Sequence, residues 1–239
     1  MLEVTESTAA QPVRGAGFLR VWMVVGAFVT VGAAVPIVLH ITRYGVNVGH
    51  IVLVAFTWIN VMIALWEISL NLRISLVERQ HEQFVAQYRG RELDRVIDFF
   101  TAPIRLRDIV RPSTWAQVWS SYSLFDPAYA NRKSFGFWVD SGNGYVTLIP
   151  SLLFVYGLTF DIVPARTLGI IGLILFWMMF YGTVIYYAAY FVNKEYVGHT
   201  RRNLAIFIGG TNSLWIFAPA WGMVASIILI NTDSYGFLR

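Results

Sequence analysis

The sequence predicts an all-α membrane protein: a five-transmembrane-helix bundle with a long cytoplasmic helical insertion between helices two and three. Composition is the first observation behind this prediction, because 56% of the 239 residues are hydrophobic and only 13% are charged. That is about half the charged fraction of a soluble domain. The second observation is that five apolar stretches each approach or exceed the roughly 20 helical residues that cross a bilayer. The predicted helices cover residues 18–41, 50–76, 145–163, 167–193 and 203–230.

The segments between these helices predict an orientation. Residues 1–17 are polar and contain two glutamates with no basic start, so we expect a short cytoplasmic tail and not a signal peptide. Residues 18–239 then form one transmembrane domain, with the insertion at residues 77–138. Fifteen of the 18 Lys and Arg residues fall on the side of the tail and the insertion. Because basic residues stay cytoplasmic, the N-terminus is predicted inside and the C-terminus on the opposite side.

Residue usage excludes several classes of site. The chain has no cysteine, which removes disulfides, thiolate metal ligands and cysteine nucleophiles. Its four histidines lack the close spacing of a metal site, so we expect no metal centre. Motifs for nucleotides and haem are absent from the sequence, so no cofactor is expected. The net charge of +4 says little about partners by itself, because the placement of the charges along the chain reflects a membrane topology, and we expect no nucleic-acid partner.

The sequence of the insertion predicts two segments. Val77–Phe100 alternates acidic residues with arginines and predicts a charged helix with apolar residues near its end. Arg105–Tyr129 predicts an amphipathic piece at the membrane interface, where arginines and aromatic rings settle. Its aromatic and proline markers are Pro112, Trp115, Trp119, Tyr122 and Phe125. The mixed charge of the insertion favours a solvated face over a polybasic lipid switch.

Helix two carries the most informative residue of the chain, Glu67. At about 100° per residue, four polar side chains of this helix fall on one narrow face. They are Thr57, Asn60, Glu67 and Asn71. A charge at membrane depth costs on the order of 2.5 kcal/mol or more, so Glu67 is predicted to face a protein interior and to be functional. The alternative is an interfacial carboxylate that pairs with Arg73 or Arg79.

Helices four and five add further polar side chains. Asn212 and Trp215 are three residues apart and are predicted to present an amide and an indole N–H to the bundle interior. A purely structural interhelical hydrogen bond from Asn212 is the alternative. Tyr186 and Tyr190 follow helical spacing on helix four. They are predicted to line a ligand site or, alternatively, to belong to an interfacial aromatic belt.

Two stretches resemble a known family. The run NSLWIFAPAWGMV, residues 212–224, resembles the Asn-x-x-Trp helix of the emopamil-binding protein family, the EXPERA-domain membrane proteins that include sterol Δ8–Δ7 isomerase. The run YGTVIYYAAYFVNKEY, residues 181–196, is similar to the family's fourth helix. The resemblance implies five helices, with polar residues of the second, third and fifth meeting in one membrane cavity.

The resemblance also implies roles for individual residues. Asn212 and Trp215 would line a sterol or isoprenoid cavity, Trp215 would offer its π face to a carbocation, and Glu67 would be the second-helix carboxylate. The sequence departs from the family in two places. Ile63 stands where the isomerase has a histidine, and the third-helix glutamate has no plain counterpart. Asp140 and Asn143 fall at the expected entrance of helix three.

The dipeptide Trp66–Glu67 resembles the second helix of the fungal integral-membrane terpene cyclases. Those enzymes protonate an alkene or epoxide inside an aromatic pocket, which needs an acid in a dry site. This resemblance implies that Trp66 contacts the ligand and that Glu67 supplies a proton.

Two functional hypotheses follow. The first is an integral membrane protein that binds a sterol- or isoprenoid-like ligand in an intramembrane cavity and catalyses acid/base isomerisation or cyclisation. Its candidate catalytic residues are Glu67 and Asn212, and its candidate ligand-binding residues are Asn60, Trp66, Tyr186, Tyr190 and Trp215. The alternative is a non-catalytic accessory or assembly subunit with a membrane-protein partner, which the two departures from the family favour.

Overall fold

The computed structural model describes residues 19–239, apart from the side chain of Phe207, and this part of the chain is almost entirely helical. In chain order the helices are α1 Val21–Tyr44, α2 Val48–Leu72, α3 Ile74–Gln87, α4 Glu92–Thr101, α5 Leu106–Ile109, α6 Pro112–Tyr122, α7 Phe135–Phe160, α8 Ala165–Val192, α9 Arg201–Asn203 and α10 Thr211–Thr232. A π-helical stretch, Leu204–Gly210, joins α9 to α10, and short 3₁₀ turns occupy Pro127–Ala130 and Gly236–Leu238. The predicted cytoplasmic tail, residues 1–17, lies outside the described residues.

Five helical segments in this part of the chain are long and apolar enough to cross a membrane, as predicted. They are α1, α2, α7, α8 and the continuous run Arg201–Thr232. The predicted helices correspond to these segments in order. Helix two ends four residues earlier than predicted, at Leu72, because Arg73 leaves the helical backbone conformation before α3 begins.

The largest error in the predicted boundaries concerns the third membrane helix. It begins at Phe135, ten residues before the predicted start at 145, because the Ser134 side chain caps it by accepting a hydrogen bond from the Phe137 N–H at 3.1 Å. Asp140 and Asn143 therefore lie inside the helix and not at its entrance. The polar and glycine residues of its first turns hid this start from a hydropathy reading.

Close helix packing brings α2 against α7 and α8 against α10. At Gly144 of α7, an added Cβ would lie 2.8 Å from both the Ala64 carbonyl oxygen and the Glu67 Cβ. At Gly222 of α10, an added Cβ would lie 2.5 Å from the Phe176 ring. Small residues at these positions let the backbones approach, which is the usual basis of helix association in membranes.

The insertion does not form one charged helix over Val77–Phe100. It breaks into α3 and α4 at Gly90, whose φ of +74° is a left-handed conformation that favours glycine. Most of its charged side chains are at least partly exposed, as expected for a solvated face, but Arg95, Asp108 and Asp126 are buried. The aromatic face of α6 packs on the bundle. There the Trp119 indole N–H donates to the Trp66 carbonyl oxygen at 2.7 Å. The insertion therefore packs against α2 near its C-terminal end.

Candidate functional site

A cavity of about 650 Å³ lies between α2, α6, α7, α8 and α10. Its volume falls within the range of small-molecule sites, and its wall is mainly apolar. The aromatic side chains in this wall are Trp66, Phe100, Trp119, Tyr122, Tyr129, Phe135, Tyr181, Tyr186 and Trp215. Several of them come from the insertion, so the insertion forms part of the wall.

The cavity opens sideways along the seam between α7 and α8. Gly142 and Gly182 line this seam, and an added Cβ at Gly142 would meet no atom within 4 Å. Phe135 and Tyr181 beside it are each 53% exposed. Both helices are long and apolar enough to cross a membrane.

Glu67 lies in the cavity wall and is only 4% exposed. The Asn143 side-chain nitrogen donates to both of its carboxylate oxygens, at 2.9 Å to Oε1 and 2.8 Å to Oε2. The ion pairs among residues 19–239 do not include Glu67, and Arg73 and Arg79 are exposed. The structure thus contradicts the alternative of an interfacial glutamate paired with an arginine.

Two other residues of the predicted polar face, Asn60 and Asn71, bond to side chains of α7. Thr57 and Asn60 are completely buried. Asn71 accepts a hydrogen bond from the Tyr145 hydroxyl of α7 at 3.3 Å. The helical periodicity of α2 therefore predicted the burial of Thr57, Asn60 and Glu67, whereas Asn71 is only partly buried.

A second carboxylate, Asp140, lies one turn before Asn143 on α7 and lines the same cavity. It is close enough to Glu67 to interact with it electrostatically, and it receives a hydrogen bond from Tyr129. Among the described residues that form the wall there is no Lys, Arg or His. The charged groups that face the cavity are thus carboxyl groups.

Asn212 and Trp215 both line the cavity from α10, as their shared face predicted. The Asn212 side-chain amide donates to the Tyr122 hydroxyl of α6 at 3.1 Å. The Trp215 indole N–H donates to the Asn60 Oδ1 atom at 3.1 Å. Asn212 therefore links α10 to the insertion, while Trp215 links α10 to α2.

Asn60 lies behind Trp215 and is not part of the cavity wall. Its side-chain nitrogen donates to the hydroxyl oxygens of Thr147 and Ser151 on α7, both at 3.2 Å. These bonds, together with the one from Trp215, engage both ends of the amide. These hydrogen bonds allow Asn60 to hold the Trp215 indole in position.

Of the two tyrosines predicted on helix four, Tyr186 lines both cavities and Tyr190 lines only the smaller one. Tyr186 lines the large cavity, with its hydroxyl 3.5 Å from that of Tyr122. Tyr190 lines only the second, smaller cavity of about 250 Å³, where Tyr186 also appears. Both side chains are buried, in contrast with an aromatic belt that faces the membrane interface.

The smaller cavity adjoins the large one at the end of the bundle that carries the insertion. The two share Phe135, Val139, Asp140 and Tyr186 in their walls. Two further acidic side chains, Asp126 and Glu195, line the smaller cavity. Burial raises the pKa of Asp126 to about 6, although the Ala128 N–H donates to its Oδ1 atom at 2.9 Å.

The π-helical stretch before α10 shapes the remaining edge of the site. Its turns widen the backbone at Leu204–Gly210, directly before Thr211 and Asn212 of the cavity wall. The Tyr187 hydroxyl donates to the Ile208 carbonyl oxygen at 2.9 Å, which satisfies one of the backbone groups there. Such π-turns occur often at functional sites.

Five of the seven predicted site residues line the large cavity: Trp66, Glu67, Tyr186, Asn212 and Trp215. Their catalytic and binding roles remain predictions. Sequence reasoning left Asp140, Asn143, Trp119, Tyr122 and Tyr129 out of the predicted site. The spacing of Trp115, Trp119 and Tyr122 along one helix face was the available signal for the insertion's contribution.

Neither a metal site nor similarity to a known protein assigns a function to these cavities. Among residues 19–239, no three or more His, Asp or Glu side chains are grouped so as to hold a metal ion. Comparison with protein-family models, with curated proteins and with solved structures finds no match to this chain.

Proposed function

We propose that the protein is an integral membrane protein that binds a neutral sterol- or isoprenoid-like lipid in the large cavity and catalyses its acid/base isomerisation or cyclisation. The observation that carries this proposal is the buried carboxyl group of Glu67, held by Asn143, in the wall of a 650 Å³ cavity that is aromatic and opens sideways. Intramembrane carboxyl groups are costly, and function is the usual reason for them.

The charges of the cavity favour a neutral ligand. A diphosphate or carboxylate ligand needs Arg or Lys for recognition, and the described wall residues contain neither. Glu67 and Asp140 can instead accept hydrogen bonds from a hydroxyl group. An isoprenoid or sterol alcohol fits both the apolar wall and these acceptors.

The arrangement can perform proton transfer to carbon. Glu67, when protonated, donates its proton to one alkene carbon, and the adjacent carbon becomes cationic. The aromatic faces of Trp66 and Trp215 in the wall stabilise that cation. A neighbouring carbon then loses a proton to a carboxylate, which restores the double bond at a new position or after ring closure. Asn143 orients Glu67, and Asn212 orients the Tyr122 hydroxyl.

The family resemblance supports the same proposal. Glu67, Asn212 and Trp215, which the resemblance assigned to one cavity, line the same wall here. Asp140 supplies a carboxylate from the third membrane helix, where the family has a glutamate. The resemblance to terpene cyclases is supported by Trp66, which lines the cavity beside Glu67.

We further propose that the insertion end of the bundle faces the cytoplasm. The basic residues support this orientation, because the arginines of α3–α6 and the Lys194–Arg202 link lie at that end. The N-terminus would then be cytoplasmic and the C-terminus on the opposite side.

Deuterium incorporation tests the chemistry without knowledge of the natural substrate. Purified protein in lipid nanodiscs is incubated in D₂O with a panel of neutral sterols and isoprenoid alkenes, which are then analysed by mass spectrometry. We expect wild type and Glu82→Gln, a variant of an exposed glutamate of α3, to place deuterium on carbon in at least one compound, and Glu67→Gln to lose this activity. No incorporation by wild type in any compound would refute the catalytic proposal and favour an accessory subunit.

A further inference from the structure

We propose that protons reach Glu67 from the insertion end of the bundle, through the smaller cavity and across Asp140, which acts as the relay between the two cavities. This inference rests on the proposed role of Glu67 as an acid. It assigns different routes to the two reactants, since the lipid enters from the side and the proton from the end.

The need for a second route follows from the side opening. The large cavity opens between α7 and α8, beside apolar exposed residues such as Phe135 and Tyr181. Hydrocarbon at this opening supplies neither water nor protons. An acid that exchanges protons with solvent therefore needs access from elsewhere.

The smaller cavity provides access of the right polarity. Exposed Asn131 and Asn193 lie in its wall together with the carboxyl group of Glu195, which is partly exposed. Its inner wall contains Asp140 and Tyr186, which also belong to the wall of the large cavity. The smaller cavity thus extends from polar surface residues to the site itself.

Carboxyl groups follow one another along this path at interaction distance. Glu195 acts electrostatically on Asp126, Asp126 on Asp140, and Asp140 on Glu67. Tyrosine hydroxyls from three other elements face the same groups: Tyr122 from α6, Tyr129 from the 3₁₀ turn and Tyr186 from α8. Lys, Arg and His are missing from the described walls of both cavities, so no fixed positive charge opposes a proton there.

The transfer is balanced in protons and needs no other reactant. Asp140 in its acid form gives its proton, through a water molecule between the two carboxyl groups, to the Glu67 carboxylate and takes another from water in the smaller cavity. The net result is one proton moved from solvent to Glu67. Asn143, which bonds both Glu67 oxygens, keeps that carboxyl group oriented during the exchange.

Two kinds of substitution test the route. Asp140→Asn removes the relay, and Ala189→Phe fills the smaller cavity while every carboxyl group stays in place. Ala188→Phe is the matched control, because the neighbouring Ala188 is exposed and outside both cavity walls. Each variant is made in the full-length chain and reconstituted in phosphatidylcholine nanodiscs.

The measurement is the hydrogen–deuterium exchange rate of the protonated Glu67 carboxyl group. Its infrared carbonyl band is assigned by its loss in Glu67→Gln and followed after a switch from H₂O to D₂O. We expect exchange to slow by about a hundredfold in Asp140→Asn and in Ala189→Phe and to keep the wild-type rate in Ala188→Phe. Lipid that co-purifies with the protein is expected to remain bound in Ala189→Phe, since Ala189 lines only the smaller cavity and the route serves protons only.

The outcomes separate the route from the proposed function. Equal exchange rates in Ala189→Phe and Ala188→Phe, with the Glu67 band present, would overturn the route and leave the acid in place. The same holds if Asp140→Asn exchanges at the wild-type rate. No Glu67 band at any pH would overturn the acid itself and, with it, the route.

Discussion

The Asn143 side-chain amide holds both carboxylate oxygens of Glu67 across the contact between α7 and α2, at 2.9 and 2.8 Å. This pair joins two membrane helices at the wall of the large cavity. Removal of one partner would leave a buried polar group unsatisfied, which costs more than the net value of the bond.

Asn143→Ala is expected to lower the free energy of unfolding by about 1–3 kcal/mol, because Glu67 stays buried without its amide donor. Unfolding of the detergent-solubilised protein, followed by circular dichroism, measures the change. Asn193→Ala, at an exposed position, is the control and should change stability by less than about 0.5 kcal/mol. Equal effects of the two substitutions would show that the Asn143–Glu67 bond does not stabilise the bundle.

Gly144→Ala is expected to destabilise the bundle, whereas Gly142→Ala two residues away is expected to be neutral or mildly stabilising. A Cβ at Gly144 would lie 2.8 Å from the Ala64 carbonyl oxygen, while a Cβ at Gly142 would meet nothing within 4 Å. Alanine also stabilises a helix by about 1 kcal/mol relative to glycine. At Gly144 the steric clash opposes this gain, whereas at Gly142 no clash opposes it. Melting temperatures of the two variants test this pair. A Gly144→Ala protein as stable as Gly142→Ala would contradict the close packing of α2 on α7.

Asp126→Asn is expected to remove a pH dependence of stability. The Asp126 carboxyl group has a pKa of about 6 in the folded protein and about 3.8 as its ordinary value. The folded state therefore binds more protons between these values, and wild-type stability falls as the pH rises through that window. The full loss amounts to at most about 3 kcal/mol above pH 6.

Unfolding free energies of wild type and Asp126→Asn, measured from pH 4 to pH 7, test this expectation. Asparagine keeps an oxygen that can accept the hydrogen bond from the Ala128 N–H, so the 3₁₀ turn should persist. The variant should gain stability relative to wild type as the pH rises. Parallel curves for the two proteins would mean that the Asp126 carboxyl group has the same pKa in the folded and unfolded states.

Gly142→Trp is expected to reduce lipid retention by closing the side opening between α7 and α8. Gly142 lines the cavity, and the space beside it is open. Gly26→Trp on α1 is the matched control, because Gly26 is also exposed with open space around it but lies outside the cavity wall. Lipid that remains bound equally in both variants would place the entrance elsewhere.

The fold was largely predictable because membrane helices have strong signals. Five apolar stretches and the 3.6-residue period of α2 predicted the bundle and the burial of Glu67. The start of α7 was missed because Asp140, Asn143 and nearby glycines lower the hydropathy of its first turns. The missed start hid the two α7 residues that interact with Glu67.

The site was only partly predictable because its wall combines distant segments. Trp119 and Tyr122 belong to an insertion whose charge pattern is typical of a solvated surface. Only their tertiary contacts, of Trp119 with Trp66 and of Tyr122 with Asn212, place them at the cavity. Asn60 lies on the predicted helix face but outside the wall of the large cavity. A buried polar residue on the predicted helix face can bond to a neighbouring side chain, here Trp215, without lining the cavity.

The central claim is that the large cavity holds a neutral isoprenoid or sterol lipid, and lipid extraction from gently purified protein tests it most directly. Wild type, Trp215→Ala and the control Trp22→Ala, at an exposed tryptophan of α1, are compared by native mass spectrometry and by analysis of the extracted lipids. The account predicts such a lipid in wild type and in Trp22→Ala and its loss in Trp215→Ala. A wild-type protein that carries no such lipid, or equal amounts in all three, would contradict it.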